Sequence, residues 1–375
     1  MSQLQLLITN VDYKRKDPVF WIDVKTDLTK YKQKQKRLPR YYSELVKLHN
    51  HLDSTLDDVL IPALPTCPLP HFDKDGEQVG RRWWFTIRLS GESPSPVETG
   101  AIENKIQRWL NRVAEHKRAQ LSEGLREFVE SEVGFRPKSK FHKSKSKQTI
   151  ASITEEYTEP EFIHRSQELE SFSHHLFALE QKLDKMVTEQ KEMSQRLMDL
   201  GSAWVNYGGM ERNPGLFITY KGLAKGYHQL SDMERSQAQA VCETLHDEVH
   251  YQIRNTDSAQ DAMQRRQSTL STYLTSRRYT ESSLRAVERL KSSVNINREQ
   301  ASNAIAVLEN ARINERDSLQ RYQRIDSHLR EDIEERYKPA VSMDIMDALK
   351  EYARSQLYLE KKKLSLWQGV IMGSE

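Results

Sequence analysis

The sequence predicts two domains of different class. A small α+β domain occupies residues 1–137, and an all-α, elongated three-helix antiparallel coiled-coil bundle follows over 161–370. Three observations carry that expectation. A chain of 375 residues exceeds what one compact core usually holds. Ten of the twelve prolines lie before residue 161, so the front is turn-rich and the rear is free to run as helix. From Leu169 to Trp204, apolar residues recur at alternating steps of three and four, the period of a coiled-coil seam.

Strand-like segments in the front domain are LQLLITNV (4–11), VFWIDVKT (19–26) and WWFTIRL (83–89), each rich in β-branched or aromatic residues. Together they predict a small three-stranded sheet. Helical periodicity marks SELVKLHNHLD (43–53), IENKIQRWLNRVAEH (102–116) and SEGLREFVES (122–131). A proline-studded loop, IPALPTCPLP (61–70), separates the first two helices. Residues 138–160 read as a basic linker and a candidate amphipathic segment. Its Lys138, Lys140, Lys143, Lys145 and Lys147 are either a solvated spacer or a contact to an anionic surface.

The rear domain is nearly continuous helix, expected at about 161–207, 214–293 and 296–369. NYGGMERNPG (206–215) breaks the first helix from the second. The second and third would each run for roughly 100 Å, too long to bury themselves in a ball. The seam is Leu169, Phe172, Leu176, Leu179, Leu183, Met186, Met193, Leu197, Leu200 and Trp204, with Gln190 as a polar interruption. Its apolar face is wider than three helices need, which predicts a dimer with the bundle continued across the interface. A monomeric spectrin-like bundle is the alternative.

Composition removes several functions. Charged residues make up 30% and hydrophobic ones 37%, and no apolar run approaches the roughly 20 residues of a membrane span. The start, MSQLQLLITN, lacks the features of a signal peptide. Cys67 and Cys242 lie far apart, which argues against a disulfide framework and fits a reducing cytoplasm. There is no Gly-rich phosphate loop, no GxSxG and no kinase signature, so no catalytic residue and no cofactor is expected. HDEVH (246–250) has metal-like spacing but no third ligand nearby, and reads as two polar histidines on a solvated face. The adjacent His174 and His175 point in different directions on a helix and carry less still.

Charge points to an anionic partner at the front. Residues 1–137 carry 22 basic and 19 acidic side chains, residues 138–150 add five lysines, and residues 151–375 carry 30 basic and 35 acidic. The turn between the second and third long helices holds Arg277, Arg278, Arg285, Arg289, Lys291 and Arg298. It is either a solvated turn, diluted by Glu281 and Glu288, or a cationic bundle end that meets anionic lipid. No nucleic-acid recognition fold accompanies these charges.

RYYSELVKLHNHL (40–52), the proline loop, NKIQRWLNRVAEH (104–116) and MDALKEYARSQLYLEKKKLSLWQGV (346–370) occur in the order found in sorting nexins with PX and BAR domains, and the chain resembles that family over nearly its whole length. The detailed character is most similar to fungal retromer sorting nexins. The resemblance implies a PX domain followed by a curved, dimeric BAR domain. It also implies a second PX-BAR sorting nexin as heterodimer partner, contact with the retromer cargo-sorting trimer through the assembled coat, and attachment to the cytosolic face of phosphoinositide-containing endosomal membrane.

In the family, the second arginine of an Arg-Arg-Tyr-Ser-Asp-Phe motif holds the 3-phosphate of the inositol ring, and the next tyrosine packs on the ring. The resemblance places Tyr42 at that tyrosine, Arg40 at the first arginine and Tyr41 at the phosphate-holding one. A second family arginine, for ring hydroxyls, falls on Ile102. A third basic group falls near the proline loop, where Lys74, Arg81 and Arg82 are candidates. A phenol cannot replace a planar cation with a fork of donors. With each charge-assisted bond worth about 1.5–3 kcal/mol, two missing arginines predict weak phosphatidylinositol 3-phosphate binding by the domain alone. Two rescues stay open: Arg40 reaching the phosphate in a shifted register, or RRWW (81–84) forming a substitute contact, with Trp83 and Trp84 either core residues or membrane-inserting ones. The alternative function is a protein-interaction adaptor whose PX-like domain binds protein through its proline loop.

Overall fold

The computed structural model describes residues 4–13, 15, 17–67, 71–72, 78–79, 96–137, 159–292 and 298–372. The chain forms two compact units. The first comprises Met1–Pro70, Ser95–Ser171 and Asn255–Lys338; the second comprises His71–Pro94, Phe172–Arg254 and Pro339–Glu375.

The first unit begins with an antiparallel sheet in the order β1 (Leu4–Asp12), β2 (Val19–Thr26), β3 (Gln35–Tyr41). Period-two burial sends Leu4, Leu6, Phe20, Ile22, Val24, Leu38 and Arg40 inward. The third strand of this sheet is thus the basic stretch before Tyr42. The expected strand at 83–89 lies outside the described residues. In the second unit, a two-residue ladder pairs β4 (His71–Phe72) with β5 (Gln78–Val79). Helix α1 (Tyr42–Thr55) buries Leu45, Leu48 and Leu52, and α2 (Pro96–Glu115) buries Ile106, Trp109, Leu110 and Val113. The Gln107 amide works as a short substitute for a fourth strand. Its Oε1 accepts from Ile8 N and its Nε2 donates to Leu6 O, both at 2.6 Å, which closes the free edge of β1.

Two further helices close this domain. The four-residue α3 (Lys117–Gln120) is capped by the His116 ring, and α4 (Glu123–Glu130) by Ser122 Oγ, which accepts from Leu125 N at 3.2 Å. After α4, Gly134 adopts φ of +100°. A Cβ there would meet Glu44 Oε1 at 2.8 Å, so both backbone and space demand glycine.

The rest of the first unit is helical: the start of α5 (Pro160–Gly208), the end of α7 (Asp247–Lys291) and α8 (Arg298–Glu331). Arg266 joins all three. Its guanidinium lies 3.9 Å from the Phe162 ring centroid on α5, pairs with Asp326 and donates to Tyr322 Oη at 2.9 Å, both on α8.

In the second unit, Leu176, Leu183 and Val187 of α5 pack on Ala238 and Val241 of α6 (Pro214–Val241) and on Val249 and Ile253 of α7. Asn213 caps α6 and Pro214 occupies its first turn. Ser194 and Ser231 exchange hydroxyl-to-carbonyl bonds of 2.9 and 2.7 Å between α5 and α6 and fix their register. On α9 (Lys338–Met372), Lys363 pairs with Glu234 at 2.6 Å.

The second and third long helices each carry a π-turn the sequence did not announce, Cys242–His246 and Asp332–Tyr337. HDEVH is corrected here. His246 is fully buried in the first π-turn with Nε2 at 3.0 Å from Asp184, and His250 Nδ1 lies 2.9 Å from Glu180. The motif thus faces two acids of α5 rather than solvent. Burial pushes the Cys242 thiol beside it up to about 12.

Gly134→Ala should cost at least about 1–2 kcal/mol from the left-handed backbone alone, before the Glu44 contact is counted. Chemical denaturation followed by tryptophan fluorescence measures it as a lower midpoint at unchanged slope.

Candidate functional site

The place where the family resemblance puts a headgroup is the junction of β3, α1, the proline loop and the start of α2. Register builds it. Pairing of Val19 with Tyr41 brings the β1–β2 turn beside the N-terminus of α1, where Tyr42 N donates to Pro18 O at 2.9 Å. A helix N-terminus attracts anions, and here the chain supplies its own. Asp17 Oδ1 accepts from Ser43 N at 3.2 Å, and Glu44 Oε2 accepts from Tyr41 N at 2.8 Å.

Arg40 faces away from this junction. It is 1% exposed, and its Nε and Nη2 donate to Phe128 O at 2.9 and 2.7 Å. Nη2 also donates to Ser131 O, and Nη1 to Pro39 O at 3.0 Å. These are carbonyls at the C-terminal end of α4 and beside Arg40 itself. Burial pulls the guanidinium below its usual range, and Glu44 opposes that pull. Arg40 as a phosphate ligand is therefore a correction: the side chain is spent on closing the fold, and a shifted register would have to tear it from α4.

Tyr41, at the phosphate-arginine position, is exposed, and its hydroxyl accepts from Arg15 Nη1 at 3.3 Å. Tyr42 is half-buried and donates to Pro65 O at 2.9 Å, while Trp109 Nε1 donates to Pro62 O at 2.9 Å, so two aromatic donors pin the proline loop. Ile102 is buried. Its neighbour Glu103 accepts from Tyr13 Oη at 3.4 Å, and burial raises its carboxyl. Arg15 is the cation that sequence reasoning missed. It sits on a turn with no motif of its own, reaches Tyr41 only through the strand register, and already pairs with Asp12 at 3.4 Å. Lys74, Arg81, Arg82, Trp83, Trp84 and the linker residues Lys138, Lys140, Lys143, Lys145 and Lys147 lie outside the described residues.

The six cations of the helix turn are all exposed: Arg277, Arg278, Arg285, Arg289 and Lys291 on the last part of α7, and Arg298 at the start of α8. Arg277 pairs with Glu281 at 3.3 Å. The seam divides into two columns. Leu169, Leu176 and Leu183 are buried within the chain, and Phe172, Met186, Leu197 and Trp204 are half-buried. Leu179, Met193 and Leu200 stay 46%, 51% and 42% exposed.

Two protein-family descriptions match the chain. Residues 28–132 match the PX domain family, and residues 138–372 match the family described as Vps5 C terminal like. The chain is 24% identical over 373 residues to Vacuolar protein sorting-associated protein 17 of Schizosaccharomyces pombe, a match covering 98% of this chain and 64% of that protein. It is 23% identical over 371 residues to the protein of the same name from Saccharomyces cerevisiae, covering 95% and 61%. The chain thus spans less than two thirds of the length of both relatives. The cryo-EM structure of the SNX-BAR Mvp1 tetramer matches in fold at a TM-score of 0.60 and 12% identity, covering 98% of this chain and 99% of that one. Among the described residues, no helix is long and apolar enough to cross a membrane.

Arg40→Ala should lower stability by about 3 kcal/mol, because the carbonyls of Phe128 and Ser131 lose a charged donor. The same variant, held where it remains folded, should bind vesicles bearing phosphatidylinositol 3-phosphate within about twofold of the parent chain. Thermal melts and vesicle flotation read the two effects separately.

Proposed function

This chain belongs to the PX-BAR sorting nexins, and from that premise we propose that it is a non-enzymatic subunit of a membrane coat. It pairs with a second PX-BAR sorting nexin. The pair attaches peripherally to the cytosolic face of endosomal membrane, senses or drives curvature, and works with the retromer cargo-sorting trimer in endosome-to-Golgi retrieval. The homology to two vacuolar protein sorting-associated proteins supports this class of role.

The observation that carries the reading is the exposed column on α5. Leu179, Met193 and Leu200 recur at multiples of seven, with Met186 between them half-buried against the chain's own core, and Met346, Leu357 and Leu364 of α9 are exposed in the same unit. Seven-residue repetition of large apolar side chains is the signature of a helix that packs on another helix. Covering the half that each of the three α5 side chains still exposes is worth roughly 1 kcal/mol apiece. Helices of a partner chain are the occupant this pattern fits, and two-fold pairing would double every membrane-facing group.

Headgroup affinity in the PX domain is then secondary. Tyr41, Ile102 and the inward-turned Arg40 leave weak 3-phosphoinositide binding by this subunit alone. Attachment is summed from the dimer surface, the basic helix turn, the linker lysines and the partner's own lipid site, a sum that can exceed any single contact by 10² to 10⁴.

Met193→Lys combined with Leu200→Lys should abolish pairing while leaving the monomer folded. Light scattering would read a complex mass with the native sequence and a monomer mass with the variant, each co-expressed with a PX-BAR sorting nexin. Co-sedimentation on liposomes of graded size should follow the complex. No binding with or without the partner would sink the coat reading and favour the protein-binding adaptor.

A further inference from the structure

The N-terminal domain is bound to the helical bundle by more polar contacts than a tethered lipid-binding module needs. Residues 53–63 run along α7 and α8. Asp53 accepts from Arg265 Nη1 at 2.9 Å, and Arg265 Nη2 donates to Val59 O at 3.1 Å. Asp57 accepts from Arg321 Nε and Arg324 Nη2, both at 3.0 Å. Arg118 of α3, Arg324 and His328 converge on the buried Asp58. Val59, Leu60, Ile61 and Ala63 are buried.

The centre of this contact is Asp332, the first residue of the second π-turn, and it is 5% exposed. Its carboxylate accepts from Leu60 N at 3.0 Å and from His116 Nε2 at 3.0 and 3.2 Å, and Arg336 Nε lies 3.3 Å away. The tautomer of His116 follows from its other nitrogen. Nδ1 accepts from Arg118 N and Ala119 N, so the proton sits on Nε2 and points at Asp332. A π-turn is a weak piece of helix, and a buried carboxylate is costly without donors. Two of the donors that satisfy this one come from the other domain.

We infer that the PX domain acts as a buttress for the bundle: residues 53–63 and 116–118 hold α8 and its π-turn in place, a role separate from any contact with lipid. Within the PX domain, Arg40 and Glu44 tie β3, α1 and the chain after α4 together, and Tyr42 and Trp109 bond the proline loop. The arm it braces carries the basic helix turn. This goes beyond the coat reading, because it concerns what the bundle requires of the domain, whatever the membrane does.

Hydrogen exchange on the full-length chain, without membrane, tests it. Asp57→Lys places a cation beside Arg321 and Arg324, and all three positions are exposed or half-exposed enough to spare the core. The variant should speed exchange by about tenfold, equivalent to about 1.4 kcal/mol, in 56–63 and also in 321–337, with 298–311 unchanged. Adding Arg321→Glu should restore protection in both segments, which a variant that had simply misfolded would not do. Faster exchange in 56–63 with 321–337 unaltered would overturn the proposal, since the arm would then stand without its brace. So would unaltered exchange in both, or failure of Arg321→Glu to restore either.

Discussion

Two opposite charges, buried four residues apart, hold the junction on which the front domain depends. Arg40, next to last in β3, places its donors on the carbonyls of Phe128 and Ser131 at and just after the end of α4, and Glu44, in the first turn of α1, has one oxygen on Tyr41 N and the other on Phe135 N. Between them they tie strand, helix and the chain after α4 into one knot, and the left-handed Gly134 exists to let Glu44 reach. A buried arginine and a buried glutamate survive only when their hydrogen bonds are filled, and here the fill is backbone. A motif shaped like a phosphate grip here holds an arginine whose donors are taken by backbone carbonyls of the same chain. The arginine that remains is architectural.

The same economy recurs at the helix N-terminus. Asp17 and Glu44 already satisfy the donors a phosphate would seek, and Tyr42 and Trp109 donate to the proline loop that would have to admit a ring. A ligand would compete with bonds the chain makes to itself, at effective concentrations no free headgroup reaches. The weak binding proposed above would then have two causes. Cations are missing at Tyr41 and Ile102, and internal anions stand where an external one would sit.

Much of this was legible in the sequence, and the failures have a common origin. The α+β character of the front, the long helices and the break at NYGGMERNPG follow from local rules of period, proline and glycine. Local rules cannot say what lies opposite. HDEVH looked solvated because the acids that face it, Asp184 and Glu180, lie on another helix. The π-turns carry no glycine or proline, and α3 is only four residues long with a histidine cap, so neither left a signal. β3 (Gln35–Tyr41) carries no strand signal, because its only aliphatic residue is Leu38, a proline interrupts it, and its inward positions include Lys36 and Arg40. The seam was legible as ten positions, but a seven-residue repeat does not say which column the chain keeps and which it offers.

That last ambiguity is physical. A coiled coil buries the same kind of residue whether its partner belongs to the same chain or to another. Leu176 and Leu183 found α6 and α7, whereas Leu179, Met193 and Leu200 face outward from the same helix. Apolar side chains spaced at multiples of seven along a helix already packed on its other side are costly to leave in water, and the pairing proposed above would cover them. If affinity for the membrane is summed over a dimer, selection on any one pocket is relaxed, because losing a grip in one subunit removes one contact among many. On the coat reading proposed above, Tyr41 and Ile102 in the PX domain and the exposed apolar positions on α5 have one explanation: attachment would rest on the assembly rather than on one pocket, and the front domain spends its charges on structure.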